Sequence, residues 1–103
     1  MAVASGGSRA LVINEKDNVA VLLDPADRGG VVTLLDSSLN ALGAVEVQAA
    51  IEPFHKVAIR GIAEGESITK LGEIIGRASS PIAPGEHVHV HNVVSTRLSL
   101  GGR

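Results

Sequence analysis

The run His87-Val88-His89-Val90-His91-Asn92 sets three imidazoles at alternate positions. In an extended strand successive side chains point to opposite faces, so His87, His89 and His91 share one face while Val88 and Val90 turn to the core. Neighbouring Cα atoms on that face lie about 6.5–7 Å apart, which lets two rings converge on one divalent ion. A third ligand from another strand or subunit, with a position left for substrate or water, completes a catalytic site. Neutral imidazole suits iron, zinc, nickel or copper, and oxygen donors shift the preference toward iron or manganese. The plainer reading is a solvated strand face that carries histidines, and His87, beside the Gly85 turn, fits that reading best.

A second constellation is His55-Lys56, with Arg60 four residues on and Lys70 and Arg77 further along. Cations beside a histidine bind a carboxylate through charge-assisted hydrogen bonds. Lys56 or Lys70, once desolvated, has its pKa lowered toward the range of a general base. Against this stands the ordinary case, isolated cations in a chain of balanced charge that stay in water. Other chemistry is missing. There is no cysteine for thiolate or disulfide chemistry, no GxGxxG or Walker loop, and no nucleophile-elbow pentapeptide.

The scaffold for these residues is small. A chain of 103 residues has room for one core, without a deep catalytic cleft. With 45% hydrophobic and 19% charged residues it is not a disordered chain. Phe54 is its only aromatic and its formal charge is −2, so it has neither stacking platforms nor a basic stripe for nucleic acid. No secretory apolar stretch or membrane-length run is present, and a cytoplasmic domain with no membrane partner is expected.

Short apolar runs punctuated by turns predict a mostly-β domain. Val19 to Leu23 and Val31 to Leu35 read as buried strands. Val45, Val47 and Ala49 alternate with polar residues, as do Lys56 to Arg60 and His87 to Val94. Leu39 to Ala44 and Ile68 to Ile75 offer modest helical possibilities, and Gly72 to Gly76 reads as a turn. Ile62-Ala63-Glu64-Gly65-Glu66-Ser67-Ile68 is echoed by Ile82-Ala83-Pro84-Gly85-Glu86-His87-Val88. Each copy centres on a glycine suited to the positive φ of a tight turn, and the pair predicts two similar hairpin corners in one fold.

Taken in order, Asp17-Asn18-Val19-Ala20-Val21, His55-Lys56-Val57-Ala58-Ile59, Ile62 to Glu66, Ile68-Thr69-Lys70-Leu71-Gly72, Ile75-Gly76-Arg77-Ala78 and Ile82 to Asn92 resemble the N-terminal SAF domain of altronate and galactarate dehydratases. The resemblance covers residues 11–97 and implies a SAF-type β-clip fold, flanked by flexible tails at 1–10 and 98–103. It also implies the dehydration of sugar acids to 2-keto-3-deoxy acids with the help of a divalent metal, iron or manganese. The site residues it implies are His55 and Lys56 as catalytic groups, Lys70, Asn92 and Arg60 toward substrate, and His87, His89 and His91 toward metal. Phe54 and Leu71 depart from the family pattern, which has glycine before the histidine and an aromatic after Lys70.

The implied partner is a large catalytic subunit, as in split altronate-type dehydratases and in sulfolactate sulfo-lyase, which eliminates sulfite in place of water. A non-catalytic sugar-acid-binding or assembly module is the reading from a different class. An exposed β edge adds the expectation of a homo-oligomer, and Leu35 to Ala44 is expected to be a loop facing the partner.

Overall fold

The computed structural model describes residues 7–94, and among them there are nine strands and no helix. They are β1 (Arg9–Leu11), β2 (Val19–Leu22), β3 (Val31–Leu35), β4 (Ala41–Glu46), β5 (Lys56–Ala58), β6 (Ser67–Lys70), β7 (Glu73–Ala78), β8 (His87–Val88) and β9 (Val93–Val94). A six-stranded sheet has the order β4-β3-β1-β2-β5-β8, and a three-stranded sheet the order β6-β7-β9. The expectation of a mostly-β domain of short strands holds.

The connections repeat one device. After Asp27, Glu52, Ala63 and Ala83 the chain makes a tight turn, closed by bonds from the N–H of Gly30, His55, Glu66 and Glu86 to those four carbonyls. The third residue of each turn has positive φ: Gly29 at 83°, Phe54 at 70°, Gly65 at 84° and Gly85 at 85°. A positive φ at that place, with proline tolerated just before it, is the pattern of a type II turn, and Pro53 and Pro84 occupy the proline position. The structure thus has four such corners where the sequence shows two.

The corners are arranged in two equivalent halves. Ala26 bridges Ile51 in the first half, and Ile62 bridges Ile82 in the second. Corner one exchanges two bonds with the end of β4, through Gly29, Gly30 and Val47, as corner three does with Ala78 through Gly65 and Glu66. Corner two pairs with Leu22 through Phe54 and His55, as corner four pairs with Ala58 through Gly85 and Glu86. Each half is therefore strand, corner, hairpin, corner. The halves join where β2 and β5 pair antiparallel, Ala20 opposite Val57.

Each half has its own core. Ala20, Leu22, Ala26, Val32, Val47, Ile51 and Val57 pack in the first. Val19, Ala58, Ile62, Ile68, Ala78, Ile82 and Val88 pack in the second. Strands β2 and β5 form the wall between them, because alternation sends Val57 to one side and Ala58 to the other. Burying both faces makes Val19-Ala20-Val21-Leu22 a continuous apolar run.

The helical possibilities are not realised. Leu39 to Ala44 contributes to β4, which pairs with β3 across a turn in which the Asp36 carboxylate accepts the N–H groups of Ser38 and Asn40. Ile68 to Ile75 is the β6–β7 hairpin, and β7 runs on through the segment expected as a turn at Gly72 to Gly76. Both segments are hairpins because cross-strand bonds satisfy their backbone and neither has an apolar stripe of helical period. The segment expected as a loop is likewise the β3–β4 hairpin. Strand β1 begins at Arg9, inside the expected N-terminal tail, and Ala10 is fully buried. The expected C-terminal tail lies outside the described residues. No helix among the described residues is long and apolar enough to cross a membrane.

Candidate functional site

The strand expected over His87 to Val94 is interrupted. Strand β8 ends at Val88, residues 89–92 turn, and the short β9 follows. Val88 is buried as expected, but Val90 stands at the tip of the turn and is 80% exposed, not in the core. The turn is closed by the N–H of Asn92 donating to the His89 carbonyl at 3.0 Å. His91 therefore does not continue the line of His87 and His89. Its ring is tilted 46° to that of His87, with centroids 5.4 Å apart.

His55 takes the third place. Strands β5 and β8 pair antiparallel with Val57 opposite His87 and Lys56 opposite Val88. One residue further along this register, His55 stands across from His89, and their ring centroids are 4.6 Å apart. His87 and His89 stack at 5.3 Å with an interplanar angle of 11°. Nδ1 of His55 and Nε2 of His87 share a hydrogen bond of 3.0 Å. One donor nitrogen from each of His55, His87 and His89 lies within 4.8 Å of the others. Ligands about 2.1 Å from a tetrahedral ion stand about 3.4 Å from one another, so modest ring rotations close this set around a metal. For the bonded pair to face an ion together, the donating ring must carry its proton on its other nitrogen.

Electrostatics favour the metal-ready form. Partial burial pushes the His87 imidazole below its ordinary pKa, and the charges of His55, His89, His91 and Lys56 push the same way. Burial likewise lowers His89, followed by His55, Lys56 and His91. Depressed pKa values keep lone pairs free at neutral pH, as a metal ligand requires. The donor set is three half-buried imidazoles, His87 on β8, His89 just past its end and His55 just before β5. It fits a borderline divalent ion with further positions left for oxygen ligands.

The other expected residues fall around this centre. Lys56, next to His55, is near enough for its charge to help lower the pKa of both His87 and His89. It is half-buried, and burial lowers its pKa, with Lys70 adding a like charge. Lys70 closes β6 opposite Glu73, at the turn that carries Leu71 and Gly72 at positive φ. Arg60 is ion-paired with Glu66 at 3.3 Å on the third corner. Asn92 is 2% exposed and both polar atoms of its amide are bonded within the chain.

One supporting feature outside the histidine cluster was not singled out in the sequence as structural: the Asp17-Asn18 pair. The Asp17 carboxylate accepts N–H groups of Ile13, Asn14 and Gly72. Asn18 spans β6, its Oδ1 accepting from Thr69 and its Nδ2 donating to the Ser67 carbonyl. Together they fix the hairpin that carries Lys70. The signal was available in two adjacent buried polar residues opening an apolar strand.

The sequence of this chain also matches known proteins. Residues 8–96 match the model of the altronate/galactarate dehydratase SAF domain. The altronate dehydratase of Bacillus subtilis is 41% identical over 88 residues, which are 84% of this chain and 16% of that protein. The altronate dehydratase of Escherichia coli is 36% identical over 88 residues, again 16% of its length. The (2R)-sulfolactate sulfo-lyase subunit alpha of Chromohalobacter salexigens is 36% identical over 88 residues, 84% of this chain and 94% of the subunit. The chain thus spans a small part of one kind of relative and nearly all of the other. It belongs to the altronate/galactarate dehydratase SAF domain family.

Proposed function

We propose that this chain is the small subunit, or stand-alone N-terminal domain, of a metal-dependent hydro-lyase that dehydrates sugar acids of the altronate or galactarate type to 2-keto-3-deoxy acids. The observation that carries the proposal is the convergence of His55, His87 and His89 beside the desolvated Lys56. In this reading the three imidazoles hold a divalent ion, iron or manganese. When bound, it supplies Lewis-acid stabilisation of negative charge and orients the substrate.

The chain's own residues supply the rest. Dehydration of a 2,3-dihydroxy acid removes the proton α to the carboxylate and expels the β-hydroxyl as water, and the resulting enol becomes the ketone. Lys56, biased toward its neutral amine, is the candidate to take that proton, and Lys70 the candidate to meet the carboxylate. His91, tilted beside His87, stands at the rim, where it reaches substrate more readily than the ion. Arg60 contributes to substrate binding only by leaving Glu66.

A half-exposed site on one small domain needs a wall to exclude water, and a large catalytic chain is the partner that supplies it. The lengths of the relatives support this, since the same domain is 16% of one protein and 94% of a named subunit. That subunit also favours a second reading, elimination of sulfite from sulfolactate, which needs the same α-proton removal with a different leaving group.

Calorimetric titration with Mn²⁺ or anaerobic Fe²⁺, with and without galactarate or altronate, tests the proposal. Binding lost in His55→Ala, His87→Ala and His89→Ala supports it. No binding by the wild-type chain, alone or with a co-expressed large chain, overturns the metal reading. With the large chain present, release of a 2-keto acid from altronate or of sulfite from sulfolactate decides between the two eliminations.

A further inference from the structure

We infer that Asn92 is a positioning residue of the histidine site rather than a contact for substrate or ion. Its side-chain amide behaves as one more peptide group laid beside residues 87–89. Oδ1 accepts the N–H of His89 at 2.9 Å, and Nδ2 donates to the carbonyl of His87 at 3.0 Å. Its backbone is tied as well: the N–H donates to the His89 carbonyl, and the carbonyl accepts from the N–H of Ser79 beyond the end of β7.

The consequence is geometric. Strand β8 has only two residues, and its ladder with β5 stops at Val88. Nothing in that ladder holds the His89 peptide extended. The Asn92 amide does so, spanning the groups that bracket Val88, so that His87 and His89 project from the same side with nearly parallel rings. With 2% of its surface exposed and both amide atoms engaged, Asn92 has no free polar atom to offer a ligand. Groups that orient metal-ligating histidines without touching the metal commonly change affinity by about 10–100-fold when removed.

Asn18 supplies the control. It is buried to the same degree and makes the same paired bonds, to Ser67 and Thr69, on a strand that carries no histidine. The experiment compares wild type, Asn92→Ala and Asn18→Ala, well below their unfolding transitions, in two measurements. The first is Co²⁺ titration followed by its visible absorption, which rests on the metal reading above. The second, independent of any metal, is the set of nuclear Overhauser contacts between the imidazole protons of His55, His87 and His89.

Asn92→Ala is expected to weaken Co²⁺ binding at least tenfold and to lose the His87–His89 contacts. Asn18→Ala is expected to keep both while losing comparable stability. Retention of the ring contacts in Asn92→Ala, or their equal loss in Asn18→Ala, overturns the inference. If wild type shows the ring contacts but binds no Co²⁺, the metal reading fails, and the ring contacts alone decide the role of Asn92.

Discussion

Four structurally equivalent turn positions, Gly29, Phe54, Gly65 and Gly85, allow one substitution to be compared in four settings. All have positive φ, between 70° and 85°. A side chain there costs about 1–2 kcal/mol in backbone strain. A Cβ at Gly29 or Gly65 meets nothing within 4 Å, so Gly29→Ala and Gly65→Ala should cost only that strain less about 0.5–1 kcal/mol for the freedom glycine has in the unfolded chain, a net of about 0–1.5 kcal/mol. A Cβ at Gly85 runs into the Glu46 carbonyl, and that backbone cannot readily withdraw because the N–H of Gln48 is bonded to the Gly85 carbonyl. Overpacking adds about 1–3 kcal/mol, bringing Gly85→Ala to roughly 1–4.5 kcal/mol after the same unfolded-chain offset.

Phe54→Gly reverses the sign. It relieves about 1–2 kcal/mol of strain, offset by roughly 0.5–1 kcal/mol for the greater freedom of glycine in the unfolded chain. Little packing is lost, since Phe54 is 74% exposed. Urea denaturation of the four variants, with midpoints compared at constant slope, measures the series. Each kcal/mol should appear as about 4–8 °C in a thermal scan of a domain this size. The reasoning is refuted if Gly85→Ala is no worse than Gly29→Ala, or if Phe54→Gly destabilises as much as either alanine.

The remaining predictions concern the site and its support. His91→Ala should leave Mn²⁺ or Co²⁺ affinity within about threefold of wild type, while His55→Ala should lower it at least a hundredfold; calorimetry reads both, and the reverse order restores the set His87, His89 and His91. Because His87 and His89 titrate below their ordinary value of about 6.5, the unfolded chain binds more protons just below that pH. Stability of the metal-free domain should therefore fall as pH drops through about 6.5 and level off below the depressed values, and His87→Ala should flatten the profile of thermal midpoint against pH. Asp17→Ala leaves three N–H donors without their acceptor and should cost about 3 kcal/mol or more in urea denaturation. A loss below 1 kcal/mol would show that water replaces the carboxylate.

Much of the fold is written in short apolar runs. Val19 to Leu22 and Val31 to Leu35 form strands as their composition demands, and Val57 and Ile59 share the face that their alternation assigns. The corners were half visible. The third and fourth share the Ile-Ala-x-Gly-Glu pattern, whereas the first reads Ala-Asp-Arg-Gly-Gly and the second Ile-Glu-Pro-Phe-His. Hydrogen bonding repeats in all four, but the side chains do not, and a glycine search misses Phe54.

The candidate site was legible as a list of residues and not as a set. His55 joins His87 and His89 through the pairing of β5 with β8, a contact between distant segments that periodicity does not encode. His91 falls out of line with His87 and His89 because the Asn92 amide and the turn at 89–92 end the strand that alternation would have continued. The same turn carries Val90 out of the core and into solvent.

The pairing of His55 with His87 has a topological consequence. The two histidines are 32 residues apart, and the stretch between them contains the hairpin of the second half and both its corners. An ion shared by these rings is a cross-link closing that loop, in a chain with no cysteine to make one. By the chain-entropy reckoning used for disulfides, a loop of this length restrains the unfolded state by about 3–4 kcal/mol. A histidine tie differs in being undone by acid or a chelator, so the second half would be stapled when the site is loaded and released when it is emptied.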